Sequence, residues 1–148
     1  MNQKATARAH PNIAFIKYWG NQNEELRLPE NSSLSMNLDG LYTETTVIWD
    51  NKDADSLVLN NELQTGQALT RVVKHLNLIR NYVPNLPAYA TVISSNNFPM
   101  GAGIASSAAS SAALTVAAIG AADIELPEKI LSSLARLEIG RASCRERV

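Results

Sequence analysis

From Phe98 to Asp123 the chain reads FPMGAGIASSAASSAALTVAAIGAAD, and only its last residue carries a charge. The uncharged interval begins earlier still, immediately after Arg80. Three structures satisfy such a run: a membrane span, an alanine-rich core helix, or a glycine–serine loop opening a helix. A span requires about 20 consecutive, mainly apolar residues. Here Asn96, Asn97 and Pro99 interrupt the run, and beyond Gly103 only Ile104, Leu114, Val116 and Ile119 are strongly apolar. The serine hydroxyls in between gain little from lipid, so no membrane association is expected. The stretch must instead be wrapped by other parts of a domain that tolerates small side chains at close range.

The chain has 148 residues, enough for one domain with a sizeable core. Its 45% hydrophobic and 18% charged content is that of a globular protein. The net charge is −1 and no block of like charges occurs, which argues against a nucleic-acid partner and leaves a local phosphate site open. The single cysteine, Cys144, excludes an intrachain disulfide framework and fits a reducing compartment. The opening MNQKATARAHPNIAFIKYWG lacks the apolar core of a secretory signal, so the expected location is the cytoplasm.

Periodicity divides the rest. A strand is expected up to about His10, with a bend at Pro11. SSLSMNLD alternates Leu34, Met36 and Leu38 against Ser35 and Asn37, as a half-buried strand does. LYTETTVIWD follows across an Asp39–Gly40 turn, and DSLVLN makes another strand before a polar turn at Asn60, Asn61 and Glu62. Leu69, Val72, Val73, Leu76, Ile79 and Val83 recur at helical steps, with Thr65 as expected N-cap and Asn81 and Pro84 marking the end. AYATVISSNNF returns to strand alternation, with Tyr89, Thr91 and Ile93 opposite Ala90 and Val92. The alanine-rich segment then predicts a helix from about Ile104 to Ala122. A last, short helix is expected to open with Pro127 in its first turn. This order predicts an α+β fold with helices packed on one face of a mainly antiparallel sheet.

The glycines of PMGAGIASSAAS lie between that strand and that helix. Gly101 and Gly103 permit close backbone approach and positive φ. A helix start also offers unpaired N–H groups and partial positive charge, a combination suited to phosphate. Ser106 and Ser107 fall in the first turn, where hydroxyls donate to phosphate or ligate Mg²⁺. Tight helix–sheet packing explains small residues here equally well, and Ala108, Ala109, Ala112 and Ala113 read that way. Neither of the two best-known phosphate-loop patterns is present.

PMGAGIASSAA resembles the P-x-x-x-G-[LI]-[GA]-S-S-A motif of the GHMP small-molecule kinase superfamily. That resemblance implies that Gly101, Ala102, Gly103, Ile104, Ala105, Ser106 and Ser107 wrap the phosphates of ATP, with Ser107 a candidate Mg²⁺ ligand. A longer stretch, Ala9 to Asp39, resembles one branch of that superfamily, the mevalonate diphosphate decarboxylases. It agrees with that branch's opening at Asn12 to Ala14, Lys17 to Gly20, Glu24 to Leu26, Leu28, Pro29 and Asn31 to Ser35. With SNNFP and the glycine turn, the resemblance extends to Leu137.

It implies the ribosomal protein S5 domain 2-like, N-terminal part of the GHMP kinase fold. It also implies ATP- and Mg²⁺-dependent decarboxylation of mevalonate 5-diphosphate to isopentenyl diphosphate, within a homodimeric enzyme. Lys17 is then the catalytic cation facing the transferring phosphoryl group and carboxylate. Asn12 orients the substrate or that lysine. Tyr18, Asn21 and Ser33 fall to substrate binding, and Trp19 reads as a core aromatic. Asn31, Ser32, Ser33 and Ser35 line a cleft by family analogy, or form a polar loop entering a strand. His10 and His75 lack metal-ligand spacing and receive no role.

Two departures stand out. Asn21 occupies a position where the family commonly has lysine, which keeps the monophosphate open as an alternative substrate. A kinase without decarboxylation and an inert nucleotide-binding remnant are further alternatives. LARLEIGRASCRERV also breaks the family's continuation from Glu138, so residues 138–148 are expected to be an aberrant tail on an incomplete 1–137 domain. The aspartate that the resemblance implies for the tertiary hydroxyl has no match here. Turnover by the chain alone is therefore not expected, and apolar surface should lie exposed where the family's second half is absent.

Overall fold

The computed structural model describes residues 3–16, 20–23, 25, 28–30, 32, 34–50, 52–99 and 106–139. Its main sheet has the order β1 (Lys4–Ala9), β6 (Thr43–Asp50), β9 (Tyr89–Asn96), β7 (Ser56–Leu59), β8 (Glu62–Gln64). β6 pairs antiparallel with β1 and β9, aligning Val47 with Ala5 on one side and Val92 on the other. β7 pairs parallel with β9, placing Leu57 beside Val92. A parallel pair needs a crossover, and α1 (Gln67–Tyr82) supplies it. α2 (Ser106–Ala121) and α3 (Glu128–Ile139) complete the helical layer. Two ribbons stand outside the sheet: β2 (Asn12–Ile16) with β5 (Leu34–Asn37), and β3 (Asn21–Asn23) with β4 (Leu28–Pro29).

Strand alternation fixes which sheet face the helices cover. Val47, Trp49, Ala90, Val92 and Leu57 are buried with Leu76, Ile79, Leu114 and Ala118 in one core. The intervening Thr46, Thr91 and Ile93 stay partly or fully exposed, so the helices occupy one face, as expected. α2 is the innermost helix. Residues from Ala108 to Ala122 are buried on nearly every side, which leaves no orientation in which a charge could reach water. Ser106–Ala121 of the uncharged stretch is thus a core helix, and no described helix is long and apolar enough to cross a membrane. The indole Nε1–H of Trp49 donates to the Ala118 carbonyl at 2.9 Å, fixing α2 on β6. A Cβ at Gly120 would come within 3.3 Å of the Ala5 Cβ, so the helix end lies close over β1.

Two polar contacts tie α1 to its neighbours. Arg80 reaches Asp55 with one guanidinium nitrogen at 2.5 Å and a second at 3.2 Å, while Asp55 also accepts the Ala90 N–H. The same guanidinium lies 5.2 Å from the centre of the Trp49 ring. His75 faces α2, where its Nε2 lies 2.8 Å from the Thr115 hydroxyl. Thr115 donates its own proton to the Ser111 carbonyl at 2.7 Å, so the imidazole must be the donor at Nε2. Its buried Nδ1 has no partner, and burial pushes the His75 pKa down to about 4.

Local details depart from the sequence reading in four places. Asn60 and Asn61, at φ 50° and 68°, form a two-residue hairpin turn, and Glu62 begins β8 instead of closing a turn. Gly66, not Thr65, caps α1, at φ 67° and ψ −139°, backbone angles that glycine accepts readily. Pro127 precedes α3, its carbonyl accepting the Ile130 N–H at 2.8 Å. The β2–β5 ribbon is amphipathic in the opposite sense to that expected of a half-buried strand. Leu34 and Met36 lie outward at 57% and 51% exposure, while Ser35 turns inward. Ile13, Phe15 and Ile16 of β2 are exposed with them.

Candidate functional site

Two segments carry the expected chemistry, and the fold sets them side by side. The first is the corner between β1 and β2. Pro11 lacks an N–H and turns the chain there, and the Pro11 carbonyl accepts the Leu38 N–H at 2.9 Å. Pro11 and Asn12 are both buried. Asn12 opens β2 opposite Asn37 of β5, so the family-matched asparagine has a fixed place in the interior. β2 then runs toward Lys17.

The second segment is the exit of β9 and the start of α2. Hydroxyls and amides gather on the inward face at this end of the sheet. Thr43 donates to the Asn96 side-chain carbonyl at 2.6 Å, and the hydroxyls of Thr45 and Ser94 meet at 2.9 Å. Thr43 and Thr45 are fully buried, on the same alternating face of β6 as Val47 and Trp49. Asn97 continues the pattern beyond the strand, accepting the Tyr42 N–H and donating to the Gly40 carbonyl, both at 2.7 Å. α2 then begins at Ser106, with Ser107 exposed and no acidic residue in the first turn. A carboxylate there would repel an anion, and its absence leaves the helix start suited to phosphate. Among the described residues no group of three or more His, Cys, Asp or Glu could hold a metal ion. A hydroxyl beside bound phosphate oxygens is the donor set this helix start can offer Mg²⁺.

A small buried cluster joins the two segments: Ala9, at the end of β1, against Ala109, Ala112 and Ala113 of α2. Asn12 is three residues from Ala9 in sequence, and Ser106 three residues from Ala109. Methyl-sized side chains let strand end and helix start approach closely, which gives the alanines their packing role. The same contact brings the first helical turn beside the Asn12 corner.

Of the residues singled out in the sequence, Asn12 and Ser107 have described side chains and lie at these two segments. Asn21 is placed as the first residue of β3 and Ser106 as the first of α2. Lys17, Tyr18, Ser33, Gly101, Ala102, Gly103, Ile104 and Ala105 lie outside the described residues, as do Trp19, Asn31 and the tail from residue 140. Thr43 and Thr45 belong to no motif in the sequence, and Asn97 belongs to SNNFP without an assigned role. Polar residues at inward positions of a strand whose later inward residues are Val47 and Trp49 were the available signal.

Known proteins share this sequence and fold. The diphosphomevalonate decarboxylase mvd1 of Aspergillus fumigatus is 40% identical over 157 residues, covering 96% of this chain and 39% of that protein. The crystal structure of mevalonate diphosphate decarboxylase from Staphylococcus aureus superimposes with a TM-score of 0.86 at 42% identity, over 95% of this chain and 42% of that one. A structure of MDDEF in complex with MVAPP, AMPPCP and magnesium gives a TM-score of 0.84 at 46% identity, over 95% and 43% of the two chains. The chain therefore spans about two fifths of the length of these relatives. Across residues 9–146 it matches the family model of the diphosphomevalonate decarboxylase-like N-terminal domain, and it belongs to that family.

Proposed function

We propose that this chain supplies the ATP-phosphate and part of the substrate site of a diphosphomevalonate decarboxylase. The observation that carries the reading is the contact of Ala9 with Ala109, Ala112 and Ala113. Ala9 ends β1 just before the Asn12 corner, and the three alanines belong to the first turns of α2. In the reaction, the γ-phosphoryl of ATP moves to the tertiary hydroxyl of mevalonate 5-diphosphate. The phosphate then leaves as the electron pair of the carboxylate–carbon bond forms the new double bond. The products are ADP, phosphate, CO₂ and isopentenyl diphosphate.

Within this scheme Lys17 offsets charge on the phosphoryl group and carboxylate, and Asn12 orients the substrate or that lysine. Tyr18, Asn21 and Ser33 hold the substrate. The backbone of 101–105 with Ser106 and Ser107 holds the ATP phosphates, Ser107 reaching Mg²⁺. The MDDEF complex with AMPPCP and magnesium supports ATP and Mg²⁺ as the family's requirement. The complete enzyme is a cytoplasmic homodimer without a nucleic-acid partner. The group acting on the tertiary hydroxyl comes from the part of the enzyme beyond the two fifths spanned here.

Joining residues 1–137 to the remaining part of the Staphylococcus aureus relative tests this. The chimera is expected to release CO₂ from mevalonate 5-diphosphate with MgATP, and K17M to lower that rate about 100-fold or more. A folded chimera that makes ADP without CO₂ would establish a kinase instead. One that binds no nucleotide would refute the reading altogether.

A further inference from the structure

Residues 38–42, between β5 and β6, are gripped from two directions. On the β1–β2 side, the Pro11 carbonyl accepts the Leu38 N–H at 2.9 Å. His10 Nδ1 lies 2.7 Å from the Leu41 carbonyl, and since a carbonyl only accepts, Nδ1 carries the proton. The Arg8 guanidinium stacks 4.0 Å above the Tyr42 ring. On the β9 side one residue makes three bonds. The Asn97 side-chain carbonyl accepts the Tyr42 N–H and its amide donates to the Gly40 carbonyl, each at 2.7 Å, while its own N–H donates to the Tyr42 carbonyl at 3.2 Å. A donor on one partner and an acceptor on the other leave a single orientation for that amide. Gly40, at φ 85° with open space around it, gives the turn its shape and no side-chain packing of its own.

β6 already pairs with both β1 and β9, ending at Thr43 between Ala9 and Asn96; past that point the turn carries the register on to two further pieces of backbone. One is the entrance to β2, where Asn12 sits. The other is the exit of β9, four residues before Gly101. We propose that the 38–42 turn is a bracket that sets these two segments relative to each other, with His10 and Asn97 as its positioning residues. This rests on the functional reading above, since the two segments are the substrate and phosphate sides of that site. Neither residue touches the reacting groups; each acts through the turn.

Backbone amide exchange on the whole chain tests the bracket, read at the amide on the far side from each change. In N97A the Leu38 amide, which bonds Pro11, should lose protection about fivefold or more. In H10A the residue-97 amide should do the same. The core amides of Val47 and Val92 should stay within twofold of wild type. In H10N, whose side-chain amide can replace the imidazole donor, protection at residue 97 should be retained. Far-side protection within twofold of wild type in both alanine variants would overturn the bracket. With MgATP as probe, N97A and H10A should weaken binding about tenfold while core protection holds, and H10N should not. Undiminished MgATP binding alongside lost far-side protection would overturn the positioning role. Failure of the wild-type chain to bind MgATP would count against the proposed function, and the exchange result would still decide the bracket.

Discussion

Acid should loosen the helical layer through one residue, His75. Its pKa is pushed down to about 4 in the folded chain, against an ordinary value of 6.5. The unfolded chain therefore binds the extra proton first, and stability is fully present above about pH 6.5. It declines as pH falls through the window from 6.5 to 4. Between pH 7 and pH 5 these two values give a loss of about 2 kcal/mol from this group. With a urea m-value near 2 kcal/mol per molar, the unfolding midpoint moves by about 1 M. Carboxylates titrate over part of the same range, so the measurement is a difference between wild type and H75L. Leucine suits this purpose because Thr115 keeps its bond to the Ser111 carbonyl and no hydroxyl is orphaned. Urea midpoints at pH 7, 6 and 5 should separate progressively, with wild type losing about 2 kcal/mol relative to H75L by pH 5. Parallel pH profiles for the two proteins would refute the buried, half-satisfied imidazole. T115V checks the tautomer from the other side: it strips Nε2–H of its acceptor and should cost about 1–3 kcal/mol at pH 7.

Three further perturbations address other parts of the molecule. A109L inserts bulk where Ala9 meets the first turns of α2, so urea unfolding should show about 1–3 kcal/mol of destabilisation, together with weakened MgATP binding. D55N leaves the Arg80 guanidinium, whose side chain is 16% exposed, with an uncompensated charge; a loss of about 3 kcal/mol by thermal or urea unfolding is expected. Phe15 is 63% exposed on the ribbon, so F15S should lower ANS fluorescence of the chain while changing its stability by about 0.5 kcal/mol or less.

Element type was legible wherever a periodic run was long. The helix from Gln67 and the strands from Thr43 and Tyr89 appear where apolar spacing placed them. The short pieces escaped for a physical reason. β8 is three residues made a strand by a pair of asparagines at positive φ, β3 is as short, and β4 is shorter still. Backbone pairing with a neighbour, not side-chain pattern, creates such elements. Capping was misplaced for a similar reason: Thr65 has the right chemistry, but Gly66 alone reaches the entry angles of α1 without strain. The candidate site divides along the same line. Asn12 and the serines at the start of α2 are singled out by motif, because residue type carries that information. Asn97 lies within SNNFP but drew no role from motif, because its work is geometric and an asparagine next to a strand end looks like any turn residue.

The β2–β5 ribbon exposes what periodicity cannot supply. Alternation says that Ile13, Phe15, Leu34 and Met36 share a face; it does not say toward what that face points. Alone, the pattern favours burial against the nearest core, and the structure turns it the other way. The opposite face carries Asn12, Ala14 and Ser35, small side chains that are buried or half-buried, and β2 touches α2. A larger residue at the buried Asn12 would push this corner away from α2, on which nearby Ala9 packs, so close packing there favours small side chains on this face. Outward orientation of the apolar face is thus the other side of the site's compactness. The tightness that the uncharged helix imposes on its neighbours fixes both where Asn12 sits and which ribbon residues remain uncovered.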